Sequence, residues 1–111
     1  MKYRKDKYGN ELSVLGYGCM RFPRKHGKID MAIAEKLLVE AVGQGINYYD
    51  TAWGYHGGNS ELVMGRVLGR YPRESYYLAT KFPGYDLGNM DKVEEIFEKQ
   101  LEKCGVEYFD F

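Results

Sequence analysis

Apolar and polar positions along the chain follow two periods, one typical of strands and one typical of helices. Residues 2–7 and 11–17 are short runs that flank a Gly-Asn pair, which favours a hairpin turn. The second run becomes apolar and ends in glycines, as a first buried strand would. Residues 19–30 are mostly polar and contain proline and glycine, which predicts a loop. The chain therefore begins with a hairpin that leads into a larger sheet.

Three later segments carry apolar residues at the spacing of an amphipathic helix. The first follows Asp30, interpreted as its N-cap, and ends near Gly43; the second follows Ser60, also interpreted as an N-cap, and ends near Gly69; the third spans about residues 91–104. Their predicted buried faces are Ile33, Leu37, Leu38, Ala41 and Val42, then Leu62, Val63, Val67 and Leu68, then Val93, Ile96, Phe97, Leu101 and Cys104.

Short apolar runs separate these helices. Residues 46–50 and 76–81 read as strands, and residues 108–111 as the start of another. The predicted order is a hairpin, three strand–helix units and the beginning of a fourth strand. Strands joined by helices run parallel with right-handed crossovers. A doubly wound sheet and an eight-stranded barrel both fit this order, and spacing alone does not separate them.

Three polar side chains lie at or just beyond predicted strand ends. Asp50 ends the second strand, Lys81 ends the third, and Tyr55 lies in the loop after Asp50. In a parallel barrel all strands deliver their carboxyl ends to one face, where active sites are built. The three groups are therefore expected to meet there.

Such a set suits proton donation from a phenol. A free tyrosine has a pKa near ~10, and a nearby ammonium favours its charged form. Asp50 would orient Lys81, Lys81 would tune Tyr55, and Tyr55 could protonate a carbonyl oxygen while hydride reaches the carbon. The alternative is a structural ion pair beside an unrelated tyrosine, and spacing leaves both open.

Composition excludes several classes of protein. The 111 residues are 44% hydrophobic and 29% charged, and 16 basic residues balance 16 acidic ones, which argues against nucleic acid or an anionic membrane as partner. No apolar run could cross a bilayer and no signal peptide is evident, so we expect a cytoplasmic protein. Cys19 and Cys104 are far apart, so neither a disulfide nor a metal site is expected, and Cys104 is expected to be buried.

Four segments in succession resemble the signatures of the aldo-keto reductases. They are residues 15–21 (LGYGCMR), 46–55 (INYYDTAWGY), 59–61 (NSE) followed by Gly65, and 78–81 (LATK). The D-T-A-x-x-Y segment and the A-T-K strand end are the most specific. The resemblance covers nearly the whole chain and keeps the family's order.

The resemblance implies an α/β fold, the N-terminal portion of a (β/α)8 TIM barrel with a hairpin across its bottom, so that residues 1–111 form an incomplete single domain. It implies an oxidoreductase that transfers hydride from NADPH to a small-molecule aldehyde or ketone. In this family Asp50, Tyr55 and Lys81 would fill three places of a catalytic tetrad, with Tyr55 as proton donor.

The resemblance also assigns binding roles. The backbone around Gly18, Cys19 and Met20 and the side chain of Asp50 are expected near the nicotinamide and its ribose. Trp53 closely follows Asp50 in the same loop, and from that position it is expected to line the substrate pocket, although simple packing against its loop explains it equally well.

One part of the family's pattern lies outside this chain. The fourth tetrad member, a histidine, normally follows the fourth strand, and the chain stops at Phe111 within that strand. His26 and His56 stand elsewhere; His56 is expected to be an exposed loop residue, or else to lie near the substrate mouth. Residues 19–23 and 55–61 resemble a bacterial and archaeal branch whose members often carry a C-terminal ferredoxin-like segment, whose cysteines are absent here.

A barrel of this type needs about 250 residues. An open parallel sheet exposes its edges and apolar inner face, so the 111-residue chain alone is expected to be inactive and to associate with itself or with the missing half of the barrel. The alternative function is a non-catalytic half-barrel that serves as a regulatory or assembly unit.

Overall fold

The computed structural model describes residues 1–111 as short strands, three α-helices and connecting turns. The strands are β1 (Tyr3–Lys5), β2 (Glu11–Ser13), β3 (Tyr17–Gly18), β4 (Arg24–Lys25), β5 (Lys28–Ile29), β6 (Tyr48–Asp50) and β7 (Tyr77–Ala79). The helices are α1 (Met31–Gly43), α2 (Asn59–Leu68) and α3 (Val93–Cys104), and 3-10 segments lie at Tyr55–Gly58, Arg73–Ser75 and Leu87–Lys92. A hairpin followed by three strand–helix units is the predicted order.

The parallel sheet has the order β3-β6-β7, so strands that follow one another in the parallel series are neighbours in space. Tyr17 pairs with Tyr49, Gly18 with Asp50, and Asp50 in turn with Ala79. A barrel keeps this sequential order, whereas a doubly wound sheet reverses it at a switch point. The strand order therefore agrees with the predicted N-terminal portion of a (β/α)8 barrel.

All three helices cover the same face of this sheet. Tyr49 and Leu78 point toward them and join one buried cluster with Leu38 of α1, Val67 of α2 and Cys104 of α3. The prediction that Cys104 is buried is confirmed. Helices on one face and a curved inner face on the other are what a barrel requires. None of the helices has the length and apolar content needed to cross a membrane.

Fewer apolar residues of the helices are buried than their spacing predicted. Several of their apolar residues remain exposed, whereas small residues such as Ala34 are fully buried. The exposed members are Ile33, Leu37, Leu62, Val93 and Phe97.

Helices α2 and α3 approach each other closely at Gly65. A Cβ atom at this position would lie 2.4 Å from the carbonyl oxygen of Lys103 and 3.0 Å from the carbonyl carbon of Cys104. Only glycine allows two backbones to come this close. The contact brings Glu61, one turn earlier on α2, against α3.

Strands β1 and β2 form the predicted antiparallel hairpin, but not with a two-residue Gly-Asn turn. The turn spans residues 6–10, and the Asp6 carboxylate accepts hydrogen bonds from the N–H groups of Tyr8 and Asn10. Gly9 adopts a left-handed φ of 88° inside it. A local carboxylate therefore sets the turn geometry, which the Gly-Asn pair alone did not reveal.

Residues 19–30, predicted as a loop, contain a second hairpin formed by β4 and β5. His26 and Gly27 occupy its turn with φ angles of 54° and 77°. Positive φ at both positions is typical of a two-residue type I′ turn. The loop prediction was wrong here because the two strands are only two residues long each and carry no alternating pattern.

The prediction that Ser60 caps α2 is wrong. The helix begins at Asn59, and Gly58 precedes it with a left-handed φ of 95° and no side-chain cap. Ser60 lies inside the helix, where its hydroxyl donates to the carbonyl oxygen of Cys19 at 2.8 Å and accepts from the hydroxyl of Thr51 at 2.8 Å. Partners that are distant in the chain replace the local cap.

Asp30 caps α1 as predicted, with its carboxylate accepting from the N–H of Ile33 at 3.3 Å. The third helix begins later than predicted, at Val93, because the 3-10 segment Leu87–Lys92 precedes it. Gly105 ends α3 in a left-handed conformation, with φ of 63°. These boundaries are local features, and the sequence located most of them within two residues.

Residues 108–111 run beside β7, where the fourth strand was predicted to start. The N–H groups of Asp110 and Phe111 donate to the carbonyl oxygen of Leu78 at 2.9 and 3.3 Å, and the N–H of Thr80 donates to the carbonyl of Phe111 at 3.3 Å. The position is as predicted, but two donors share one acceptor and no regular strand forms.

Candidate active site at the carboxyl ends of the strands

The register of the parallel sheet brings three strand ends to one rim. Gly18, Asp50 and Ala79 lie side by side as the last residues of β3, β6 and β7. Beyond them the pairing continues, because the N–H of Cys19 donates to the carbonyl of Asp50 at 2.8 Å and the N–H of Thr51 donates to that of Ala79 at 2.9 Å. The loops that follow the strands therefore start from fixed positions.

Lys81 reaches back across this rim to the neighbouring strand. Its ammonium pairs with the Asp50 carboxylate and donates to the carbonyl oxygen of Thr51 at 2.9 Å. The two charged side chains are partly exposed, 49% for Lys81 and 37% for Asp50. Partial burial acts to lower the pKa of Lys81, but the adjacent Asp50 and Tyr55 outweigh it and raise that pKa above its ordinary value. The ammonium is thus the form that this site favours.

Tyr55 is placed by the 3-10 turn that it opens after the β6 loop. The Lys81 ammonium lies over its ring, 4.9 Å from the centroid. The structure therefore brings Asp50, Tyr55 and Lys81 together at one rim, as their positions at strand ends predicted. An ammonium held between a carboxylate and a phenol is an arrangement that can stabilise negative charge on the phenol oxygen.

The segment Gly18–Met20 forms the other side of this rim. Gly18 is exposed, and a side chain added there would meet no atom within 4 Å. Cys19 is fully buried, with its sulfur 3.5 Å from that of Met64, and burial raises the pKa of its thiol to about 12. Only the backbone of Cys19 thus faces the rim, while Met20 is exposed beside it.

Trp53 lies in the loop that follows Asp50 and is half-buried. The Lys103 ammonium covers one face of its ring at 4.5 Å from the ring centroid. Trp53 also lines a cleft of about 530 Å³ with Leu62 and Tyr85, into which none of the three rim groups opens. Both predicted roles, substrate contact and packing, are compatible with this placement.

His56 is half-buried, so the expectation of an exposed loop histidine is wrong. Its Nε2 accepts a hydrogen bond from the N–H of Phe22 at 2.9 Å, which places its proton on Nδ1 when the ring is neutral. Burial, and then the charge of Arg24, lower the pKa of His56. His56 and Met20 line a cleft of about 710 Å³, so His56 does lie close to the rim loops.

A buried carboxylate lies beneath the rim, at Glu61 of the N-S-E segment, and the sequence predicted no separate role for it. Glu61 is fully buried on α2 and binds Thr80, Gln100 and Lys103. One signal pointed to it: Glu61 stands three and seven residues before the buried Met64 and Leu68, on the apolar face of its helix. No group of three or more His, Cys, Asp or Glu side chains is arranged to hold a metal ion.

Comparison with known proteins identifies the family. The sequence model of the Aldo/keto reductase family matches residues 14–111. The chain is 32% identical over 114 residues to the probable aldo-keto reductase 1 of Glycine max, covering 92% of this chain and 32% of that protein. It is 40% identical over 119 residues to the NADH-specific methylglyoxal reductase of Escherichia coli strain K12, covering 89% of this chain and 36% of that protein.

A solved structure shows the same fold. The thermostable aldo-keto reductase Tm1743 superposes with a TM-score of 0.78 at 26% identity, covering 99% of this chain and 41% of that protein. The chain spans about a third of the length of the curated relatives it matches. The family match over residues 14–111, the sequential parallel strands and the rim geometry agree with one another, and the chain belongs to the aldo-keto reductase family.

Proposed function

We propose that this chain supplies the proton donor and the ion pair of a reductase site, in a complete barrel that transfers hydride from NADPH to an aldehyde or ketone. The observation that carries the proposal is the position of the Lys81 ammonium, which pairs with the Asp50 carboxylate and lies 4.9 Å from the centroid of the Tyr55 ring. This rim is the end of a parallel barrel where enzymes build their active sites. The family consists of oxidoreductases, which supports the same reaction class.

Tyr55 is the proton donor in this proposal. As hydride adds to the carbonyl carbon, the O–H bond of the phenol breaks and its proton passes to the carbonyl oxygen, which leaves an alcohol and a tyrosinate. The Lys81 ammonium stabilises the tyrosinate by charge, and Asp50 keeps the ammonium in place. The tyrosinate then takes a proton from solvent, since Lys81 and Asp50 are both partly exposed.

The rim residues of this chain fit a nicotinamide ring beside Asp50. Gly18 leaves open space, Met20 is exposed, and the Cys19 side chain points away into the core. A bound NADPH supplies the hydride for the carbonyl carbon. NADPH is our prediction from the family resemblance; the Escherichia coli relative is named as NADH-specific, so both cofactors belong in the assay.

Trp53 is proposed to contact the substrate. Its place in the loop between Asp50 and Tyr55 supports this role. The substrate is a small carbonyl compound, and the loops that select it extend beyond this chain in proteins of the family's length. A cytoplasmic location stays a prediction from the sequence.

The test uses the complete protein in which residues 1–111 occur, with NADPH or NADH and a panel of aldehydes and ketones. We expect Tyr55→Phe to lower kcat about a hundredfold or more, because a positioned general acid contributes roughly 10²–10⁴. Tyr8→Phe is the matched control: Tyr8 also has a lysine ammonium 4.9 Å from its ring, but it is exposed on the first hairpin. Equal kcat for Tyr55→Phe and wild type would overturn the assignment.

A second candidate function is a non-catalytic half-barrel that serves in assembly or regulation. The inner face of the sheet favours it, because Tyr48 and Tyr77 lie only half-buried beside the exposed Phe111, with ring centroids 5.6 and 6.3 Å from it. Such a unit would associate with itself or with the missing half of a barrel. Light scattering, cofactor titration and turnover of the complete protein in which residues 1–111 occur distinguish the two functions: a protein that associates but neither binds NADPH or NADH nor reduces a carbonyl compound supports the half-barrel.

A further inference from the structure

Glu61 is a fully buried carboxylate that the proposed chemistry does not use. A buried ionised group is costly unless each of its oxygens finds partners. Both oxygens of Glu61 have them. Oε1 pairs with the Lys103 ammonium at 3.0 Å, and Oε2 accepts from the hydroxyl of Thr80 at 2.8 Å and from the amide of Gln100 at 3.1 Å. A fully satisfied network of this kind holds its members in one arrangement.

Two of these contacts converge on the backbone that carries Lys81. Thr80 immediately precedes Lys81, beyond the end of β7 at Ala79. The Gln100 amide nitrogen, which also contacts Glu61, donates to the carbonyl oxygen of Lys81 at 2.9 Å. The Glu61 carboxylate therefore contacts the chain before the Lys81 α-carbon directly, at Thr80, and the chain after it through Gln100, at the Lys81 carbonyl.

The other oxygen of Glu61 connects, through Lys103, to the loop that follows the neighbouring strand β6. The ammonium of Lys103 lies 3.0 Å from Oε1 of Glu61 and also lies over the ring of Trp53, 4.5 Å from the ring centroid. Trp53 lies between Asp50 and Tyr55 in the chain. One buried carboxylate thus contacts, directly or through one residue, both segments that bring side chains to the rim.

An anchor of this kind is needed because the ion pair at the rim is weak by itself. The Asp50 and Lys81 side chains are partly exposed, so water weakens their pairing, and Asp50 keeps the ammonium in place only while the Lys81 backbone is itself fixed. A lysine with a mobile backbone would lose its place over Tyr55. Buried residues that contact the same backbone segment from beneath can hold Lys81 rigidly.

We propose that Glu61 is a positioning residue for Lys81: its carboxylate fixes the Thr80–Lys81 backbone through Thr80 and Gln100, and so keeps the ammonium at the Asp50 carboxylate and the Tyr55 ring. This inference rests on the proposed reductase function. It assigns to α2 and α3 a direct part in the geometry of the rim.

The experiment measures steady-state turnover in the complete protein. We expect Glu61→Gln to lower kcat about tenfold or more, because misplacement of a reacting group by ~1 Å can cost a hundredfold, while KM stays within about twofold. Gln100→Met, which keeps the carboxylate and removes the bond to the Lys81 carbonyl, should change kcat in the same direction. Glu35→Gln is the control, because Glu35 pairs with Arg70 at the surface and should leave kcat at the wild-type value.

A double-mutant cycle separates positioning from general destabilisation. In a Lys81→Met background, Glu61→Gln should have no further effect on kcat, since the group that it positions is gone. Full additivity of the two losses, or an unchanged kcat in both Glu61→Gln and Gln100→Met, overturns the inference. If Glu61→Gln does not fold, Gln100→Met combined with Lys81→Met gives the same cycle.

A readout that does not need turnover keeps this result distinct from a failure of the proposed function. Competitive acetylation, followed by peptide mass spectrometry, should label Lys81 severalfold faster in Glu61→Gln than in wild type, while Lys99, paired with Glu95 on the exposed side of α3, keeps its rate. Unchanged labelling of Lys81 counts against positioning. Faster labelling without any carbonyl reduction by the wild type refutes the proposed function and leaves the positioning intact.

Discussion

Replacing Gly65 with alanine tests the helix contact that brings Glu61 against α3. The added Cβ would lie 2.4 Å from the carbonyl oxygen of Lys103 and 3.0 Å from the carbonyl carbon of Cys104. Since a carbon approaches a carbonyl oxygen to about 3.3 Å, the first contact falls short by about 0.9 Å. Both atoms belong to backbone, so neither can rotate away and the two helices must separate.

The size of the effect follows from two opposing terms. Forcing an extra carbon into a packed contact costs about 1–3 kcal/mol, and a clash with backbone belongs at the upper end of that range. Alanine in a helix interior stabilises by up to about 1 kcal/mol relative to glycine. We therefore expect Gly65→Ala to lower the free energy of unfolding by roughly 1–2 kcal/mol.

Urea denaturation of the complete protein, followed by circular dichroism, measures this change. Gly43→Ala is the matched control, because Gly43 is the last residue of α1 and a Cβ there would meet no atom within 4 Å. That variant should raise the free energy of unfolding by about 0.5–1 kcal/mol. Opposite signs for the two substitutions support the argument. A Gly65→Ala protein as stable as wild type would refute the close contact between α2 and α3.

Two further predictions concern buried titratable groups. Burial raises the thiol pKa of Cys19 and of Cys104 to about 12, so at pH 8 only about one thiol in ten thousand is ionised. Iodoacetamide should therefore label both cysteines in urea but not in the native protein. Rapid labelling of the native protein would contradict their burial. Because the pKa of His56 is lowered in the folded protein, folding favours the neutral imidazole. The contribution of neutral His56 to the free energy of unfolding is present above pH 6.5, the ordinary pKa of histidine, and is lost as the pH falls below that value. The stability gap between wild type and His56→Asn, which tolerates the φ of 53°, should narrow from pH 8 to pH 5, and a constant gap would count against a lowered pKa of His56.

Features set by near neighbours in the chain, or by the geometry of parallel strands, were predicted well. Asp30 caps α1 because its carboxylate needs only the N–H of Ile33, three residues away. The meeting of Asp50 and Lys81, 31 residues apart, was predicted because parallel strands deliver their ends to one rim. In both cases one geometric rule connects the residues, and no knowledge of the surrounding packing is required.

Features set by competition between local and distant partners were predicted poorly. Ser60 has the side chain of an N-cap, yet it bonds Cys19 and Thr51, which lie 41 and 9 residues away. A cap typically stabilises by about 1 kcal/mol, and a buried hydroxyl left without a partner costs about as much or more. The capping side chain of Ser60 can be recognised in the sequence, whereas its buried partners cannot, so the sequence led to the wrong prediction that Ser60 caps α2.

Polar residues on an apolar helix face are the signal that would have revealed the support beneath the rim. Gln100 stands midway between the buried Ile96 and Cys104, four residues from each, as Glu61 stands in line with buried residues of α2. A polar side chain at such a position must either face solvent at a helix edge or find a buried partner. Two such residues, a carboxylate and an amide, on helices that pack against each other predict a mutual contact, and here that contact, at 3.1 Å, lies directly under Lys81.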